Sequence, residues 1–227
     1  MKKLLIGLLG ASLATTVFAA EVPLCALPQV GSTNGDADPG CAQIIAGAKK
    51  VASDAKTNPS FTNAAAIPAQ LIVGAVYLQP ITMAPAGMMR ARADSDIHLE
   101  VDIHAKAKLK SRGFAPGDWL PNVNVNYIIQ KVGSTKPLTC GAGMDSTPSQ
   151  TVCKLMPMVA SDGTHYGDNV KLDGPGFYLV TFDAQTDPMF GWHTDTDSKI
   201  LGTEFVNWKF KQMYLFKWTG IGKKGGY

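Results

Sequence analysis

The sequence has little net charge and lacks the motifs of the common catalytic classes. Its 21 Lys and Arg residues and 18 Asp and Glu residues leave a formal net charge of only +3. This charge is too small to predict nucleic acid or an anionic membrane surface as a partner. The motifs G-x-S-x-G and H-E-x-x-H, the P-loop and the Rossmann glycine fingerprint do not occur. We therefore expect neither an enzyme nor a nucleic-acid-binding protein.

Long apolar runs are also missing after the first twenty residues. The nearest approach is the segment 64–81, which Pro68 and Gln70 interrupt. A helix needs about 20 consecutive apolar residues to span a bilayer. We therefore predict no stable membrane insertion of the mature chain.

The first residues are typical of an export signal. Lys2 and Lys3 precede an apolar stretch that ends near Val17, and small residues lead to Ala19. A basic start, an apolar centre and small residues before the cleavage point define a signal peptide. We expect residues 1–19 to be removed near Ala19 and the remainder to be exported.

Only four cysteines occur, all of them after this segment. An even number in an exported chain predicts disulfides. Four cysteines permit three connectivities. The most economical one pairs neighbours in the sequence, as Cys25–Cys41 and Cys140–Cys153. A four-cysteine zinc site is the alternative, but the close C-x-x-C spacing of such sites is absent.

The chain changes character near residue 70. Residues 20–70 form a loop-rich extension, with apolar residues at helical spacing over 42–56 that predict one short helix. Residues 71–219 contain six or seven short alternating runs separated by Pro, Gly and Asp. This pattern predicts an all-β domain with an immunoglobulin-like β-sandwich architecture. Residues 220–227 form a Gly- and Lys-rich tail that we expect to be flexible.

One alternating run, "SDIHLEVDIHA", carries two of the four histidines. His98 and Glu100 are two positions apart on one strand face, which places their Cα atoms about 6.6–7 Å apart. Both side chains could therefore reach one ion. His104 on the same face is about 20 Å from His98 along an extended strand, so we do not expect it to share that site.

A second run, "LMPMVASDGTHYG", joins a thioether to an imidazole across a turn. Met156 is interpreted as core packing. Met158 lies just before the turn that presents His165, and this pair is plausible for copper. His193 lies in a polar segment, where a histidine by itself is usually a surface residue.

Together these runs resemble a known family. In order, "VYLQPITM", "DIHLEVDIHA", "GDWLPNVNVNY", "LMPMVASDGTHYG" and "FGWH" are similar to the periplasmic high-affinity iron-transport proteins, the soluble partners of inner-membrane ferrous-iron permeases. The resemblance covers roughly residues 72–219. It implies a homodimeric immunoglobulin-like sandwich with a divalent-metal site near the dimer interface, which binds copper and has iron as its inferred cargo. The ligands implied are His98, Glu100, Met158, His165 and His193, with Glu21 and Asp162 at a possible secondary site.

Three functions follow as hypotheses. The first is capture of Fe²⁺ in the periplasm for an inner-membrane iron permease, with Cu²⁺ binding in vitro. The second is a periplasmic copper chaperone or copper buffer that uses the same site. The third is a metal-free interaction module.

Because imidazole ligands must be neutral, metal affinity is expected to fall below about pH 6.5.

Overall fold

The computed structural model describes residues 22–23, 25–26, 70–143, 147–191 and 209–220, with the backbone alone at 22–23, 25–26 and 110–112. The predicted signal peptide, the helix over 42–56, Cys41, Glu21 and His193 lie outside the described residues. The division of the chain near residue 70 stays a prediction. None of the helices among the described residues has the length and apolar character needed to cross a bilayer.

The described chain is built from nine antiparallel strands and two short 3-10 helices, at Arg92–Asp94 and Ala107–Arg112. The strands are β1 (Val22–Pro23), β2 (Cys25–Ala26), β3 (Leu71–Leu78), β4 (Ile97–Ala105), β5 (Val123–Lys131), β6 (Cys153–Ala160), β7 (Gly163–Val170), β8 (Gly176–Thr186) and β9 (Lys209–Trp218). The expectation of an all-β fold is confirmed.

The strands form one sheet in the order β1-β3-β4-β7-β6-β5-β8-β9-β2. Strand β6 links its two halves. The start of β6 pairs with β5, where Leu155 lies opposite Val125, and its remainder pairs with β7, where Met158 lies opposite His165. The sheet therefore turns a corner along β6.

The two halves of the sheet pack face to face. The Tyr77 hydroxyl on β3 donates a hydrogen bond to the carbonyl of Lys217 on β9, at 3.0 Å. The Tyr77 and Phe216 rings lie 5.2 Å apart between centroids. The Tyr127 hydroxyl on β5 likewise donates to Asp168 on β7, at 2.8 Å. Two facing half-sheets are the arrangement expected of a β-sandwich.

Period-two alternation explains most of the core. On β5 the residues Val123, Val125, Tyr127 and Ile129 are buried, and those between them are half-buried. Strand β4 differs, because Ile97 to Val101 are buried on both parities. The face of β4 that carries His98 and Glu100 is therefore buried at the start of the strand, whereas a half-buried alternating strand leaves its polar face in solvent.

The predicted Cys140–Cys153 disulfide is confirmed. It closes the connection between β5 and β6 at the first residue of β6, and both sulfur-bearing side chains are buried. The other predicted pairing, Cys25–Cys41, involves a residue outside the described chain and stays a prediction.

Candidate metal centre

Three neighbouring strands bring the candidate ligands together. On β4, His98 and Glu100 share a face, as their spacing predicted. In the register of β4 and β7, Glu100 lies opposite Gly167, two positions from His165 on the same face of β7. The β6–β7 hairpin then places Met158 directly opposite His165.

His98, Glu100 and His165 each offer one donor atom, and these atoms all lie within 4.8 Å of one another. The Glu100 Oε1 atom is 3.4 Å from His98 Nε2 and 3.3 Å from His165 Nε2. All three side chains are buried, with relative exposures of 0%, 4% and 4% for His98, Glu100 and His165. His98 and Glu100 of β4 and His165 of β7 therefore lie together in the fold.

The lack of a side chain at Gly167 lets two of the candidate ligands approach its backbone closely. A Cβ atom at this position would lie 2.6 Å from His98 Nε2 and 3.2 Å from the Met158 methyl carbon. Both side chains therefore border the space above the Gly167 backbone. His98 Nε2 is completely buried and has no hydrogen-bond partner in the described chain. A buried ring nitrogen without a hydrogen-bond partner, 3.4 Å from a carboxylate oxygen, fits an atom reserved for a ligand.

The other ring nitrogen of His98 is satisfied. His98 Nδ1 lies 3.0 Å from the side-chain oxygen of Asn169, which is directly opposite it on β7. The ring thus makes a hydrogen bond at Nδ1, whereas Nε2 makes none.

Burial keeps both imidazoles uncharged at neutral pH. Burial lowers the pKa of His98 from 6.5 to about 4; the hydrogen bond with Asn169 opposes this shift, and the nearby His165 adds to it. Burial also lowers the pKa of His165, against the charges of Asp102 and Asp162. Neutral imidazoles are the form that binds metals.

The charges of two further carboxylates, Asp102 and Asp162, act on His165, and a third histidine lies farther along β4. Asp162 is exposed in the β6–β7 turn, and its charge acts on both His165 and Asp102. His104 lies 3.9 Å from Asp102 by Nε2, and its Nδ1 lies 2.8 Å from the carbonyl oxygen of Gly117. His104 is not among the three described residues whose donor atoms lie within 4.8 Å of one another.

Gly167 and Asn169 were not found by sequence reasoning. A glycine inside a strand is a known sign of close approach by a ligand or another backbone, and "HYGDN" contains one at position 167. The role of Asn169 carries no comparable signal, because it depends on the register between β4 and β7. The predicted ligand His193 and the predicted secondary-site residue Glu21 lie outside the described residues.

Comparison with known proteins identifies relatives for most of the chain. The family described as Fe2+ transport protein matches residues 62–220. A UPF0423 protein of Brucella abortus (strain 2308) is 43% identical over 160 residues, which cover 68% of this chain and 79% of that protein. The 34 kDa membrane antigen of Treponema pallidum (strain Nichols) is 35% identical over 156 residues, or 66% of this chain and 69% of the antigen.

Solved structures show the same similarity. FetP of uropathogenic Escherichia coli strain F11, which was expressed in the periplasm, has 33% identity and a TM-score of 0.55 over 69% of this chain and 93% of its own. Copper-reconstituted P19 from Campylobacter jejuni has 34% identity and a TM-score of 0.55 over 68% of this chain and 92% of its own. With its matching motifs, buried His and Glu donors and these relatives, the chain belongs to the Fe2+ transport protein family.

Proposed function

We propose that this protein captures Fe²⁺ in the periplasm for delivery to an inner-membrane permease, and that the same site binds Cu²⁺ in vitro. The observation that carries the proposal is the buried cluster of His98, Glu100 and His165, whose donor atoms lie within 4.8 Å of one another. Membership of the Fe2+ transport protein family supports iron as the cargo. Binding and transfer of the ion require no covalent chemistry from the protein.

The donor set fits a first-row transition metal. His98 and His165 offer imidazole nitrogens, Glu100 offers a carboxylate, and Met158 offers a thioether beside the same space. By the Irving–Williams order such a mixed set holds Cu²⁺ more tightly than Fe²⁺. Strong copper binding in vitro and iron as the physiological cargo are therefore compatible.

The proposal includes features that lie beyond the described residues. We propose His193 as a further ligand, and Glu21 with Asp162 as a secondary site beside the first. The charge of Asp162 already acts on His165, which supports its place near the ion. A homodimer with the site near its interface is also part of the proposal.

Calorimetry on the metal-free protein tests the site. Titration with Cu²⁺, and with Fe²⁺ under anaerobic conditions, should show affinity losses of about 10-fold or more for His98→Ala and His165→Ala. His104→Ala is the matched control, because His104 lies on the same strand face outside the cluster, and it should bind like the wild type. If both cluster variants bound as tightly as the wild type, the metal-free interaction module would replace this proposal.

A copper chaperone or copper buffer is the second candidate function. The Met158 thioether favours it, since sulfur ligands suit copper, and P19 is known in a copper-reconstituted form. A deletion strain that grows poorly under iron limitation supports iron capture. Copper sensitivity with normal iron uptake supports the copper function instead. Metal analysis of protein purified from the periplasm, without chelators or added copper, identifies the native ion directly.

A further inference from the structure

We propose that Asn169 is a positioning residue of this site, which holds His98 in the tautomer that leaves Nε2 free for the ion. The importance of Asn169 for metal binding rests on the proposed function. The hydrogen bonds by which Asn169 holds His98 do not, because they lie within the protein. Asn169 itself borders only the far side of the His98 ring, at Nδ1.

The orientation of the Asn169 amide is fixed by backbone groups. Its nitrogen donates hydrogen bonds to the carbonyl oxygens of Ile81 and Arg90, both at 2.9 Å. Its oxygen accepts a hydrogen bond from the backbone N–H of Ile81, at 3.2 Å. A carbonyl can only accept and a backbone N–H can only donate. Exchanging the amide oxygen and nitrogen would therefore break all three bonds.

This orientation determines where the proton of His98 lies. The atom that faces His98 Nδ1, at 3.0 Å, is the Asn169 oxygen. This oxygen can only accept, so Nδ1 must carry the hydrogen. In a neutral imidazole the other nitrogen then holds a lone pair. The lone pair is on Nε2, the buried atom without a hydrogen-bond partner.

The same three backbone bonds also fix the position of the ring. Ile81 and Arg90 belong to the connection between β3 and β4, and Asn169 ties two points of this stretch to β7. The acceptor that faces His98 Nδ1 is therefore fixed in position and orientation. Outer partners of this kind orient ligating histidines, and their loss typically costs about 10- to 100-fold in metal affinity.

Nuclear magnetic resonance of the metal-free wild type tests the tautomer directly. Long-range ¹H–¹⁵N spectra distinguish a protonated from an unprotonated ring nitrogen, and the chain has only four histidines to assign. We expect His98 to be protonated at Nδ1 and unprotonated at Nε2. The opposite tautomer, or an equal mixture, would overturn the inference without any need for a variant.

Two variants separate positioning from a structural role. Asn169→Ala removes the acceptor, and we expect mixed tautomers at His98, an affinity for Cu²⁺ lower by about 10- to 100-fold and a changed Cu²⁺ electron paramagnetic resonance spectrum. Asn169→Asp keeps an acceptor facing His98 but loses the donors to Ile81 and Arg90. This variant should keep the wild-type tautomer even if its thermal stability falls. Asn126→Ala, on a strand that pairs with neither β4 nor β7, is the matched control.

The outcomes distinguish this inference from the proposed function. An Ala variant with the tautomer, affinity and spectrum of the wild type would overturn the positioning role, and so would an Asp variant that behaves like the Ala variant at His98. If the wild type shows the expected tautomer but binds neither Cu²⁺ nor Fe²⁺, the proposed function fails while the hydrogen-bond assignment stands. If it binds metal with the opposite tautomer, only the role of Asn169 fails.

Discussion

At the scale of single residues, the absence of a side chain at Gly167 shapes the candidate site as much as its donors do. The positions that border this space are contributed by β4 and β6, and Gly167 itself lies on β7 between them. Any side chain at this position would begin within contact distance of His98 Nε2 and the Met158 methyl group. The site therefore depends on three donors and on one position that must stay small.

Gly167→Ala is expected to weaken Cu²⁺ binding by at least about 10-fold while every candidate donor is retained. The added Cβ would lie 2.6 Å from His98 Nε2, so the ring must move. Overpacking of this kind costs about 1–3 kcal/mol in folding free energy. Calorimetry with Cu²⁺ and a thermal unfolding curve measure both effects.

Gly74→Ala is the matched control for this variant. Gly74 lies on β3 of the same half-sheet, and a Cβ there would meet nothing within 4 Å. It should leave Cu²⁺ affinity unchanged. Wild-type affinity in Gly167→Ala would show that the ion does not use the space above Gly167.

The pH dependence expected from the sequence is shifted by burial. With an ordinary pKa near 6.5, His98 would lose its metal below that pH. Burial lowers this pKa to about 4, and protons compete with the ion only as the pH approaches the pKa of the folded state. The contribution of His98 to Cu²⁺ affinity should therefore persist at pH 5, begin to weaken near pH 4 and be lost progressively below it.

Titration of His98 in the metal-free protein by nuclear magnetic resonance, with Cu²⁺ calorimetry at pH 7, 5 and 4, checks this window. Proton uptake by His98 near pH 6.5 would contradict it. Acid weakens Cu²⁺ binding whether the pKa of His98 is 6.5 or about 4; only the pH at which the weakening begins differs.

What the sequence predicts at this scale is the pair on one strand. Alternation alone placed His98 and Glu100 on one face, and the turn after Met158 placed a thioether near His165. Gly167 and Asn169 act across strands, and a sequence does not specify the pairing of β4 with β7 directly. The lowered pKa of His98 was missed for a related reason, because alternation predicts one buried face and the burial of both faces at the start of β4 depends on the tertiary fold.

At the scale of secondary-structure elements, β6 connects the core to the site. It starts at the Cys140–Cys153 disulfide, pairs first with β5 and then with β7, and carries Met158 in the second part. The sequence predicted both the strand and the disulfide. The change of partner along β6 was not predicted, since it results from how the sheet turns.

Removing this disulfide is expected to lower the free energy of unfolding clearly, and to change the affinity for Cu²⁺ only a little. The two cysteines are 13 positions apart, and closing a loop of this size contributes about 3 kcal/mol in the chain-entropy description. Urea unfolding of the double variant Cys140→Ala/Cys153→Ala should show a loss of this order. Cu²⁺ affinity should stay within a few-fold of wild type, because the three clustered donors lie on β4 and β7. Loss of copper binding in a variant that is still folded would contradict this view of β6.

At the scale of the whole molecule, the candidate site connects adjacent strands of one half-sheet. An ion held by His98, Glu100 and His165 would join β4 to β7, and Met158 would add β6. Such an ion binds only the folded chain and so stabilises it. The family match over residues 62–220 spans strands β3 to β9, so every strand that carries a clustered donor lies within the shared region.

Copper should therefore raise the melting temperature of the metal-free protein. At a free ion concentration of about 100 times Kd the gain is about 2.7 kcal/mol, which for a domain of this size corresponds to about 5–10 °C. Differential scanning calorimetry with and without Cu²⁺ measures the shift, and a chelator should reverse it. An equal shift in His98→Ala would place the stabilising ion elsewhere.

The two shortest strands have a consequence for the order of folding. Strands β1 and β2 are separated by one residue, yet β1 pairs with β3 and β2 pairs with β9, so they lie at opposite ends of the sheet order. The pairing of Cys25 with Leu215 joins residues near the two extremes of the described chain. It cannot form before the last strand has been synthesised, and contacts between such distant residues slow folding. A chaperone that protects the chain until β9 is available would therefore act on nearly its full length.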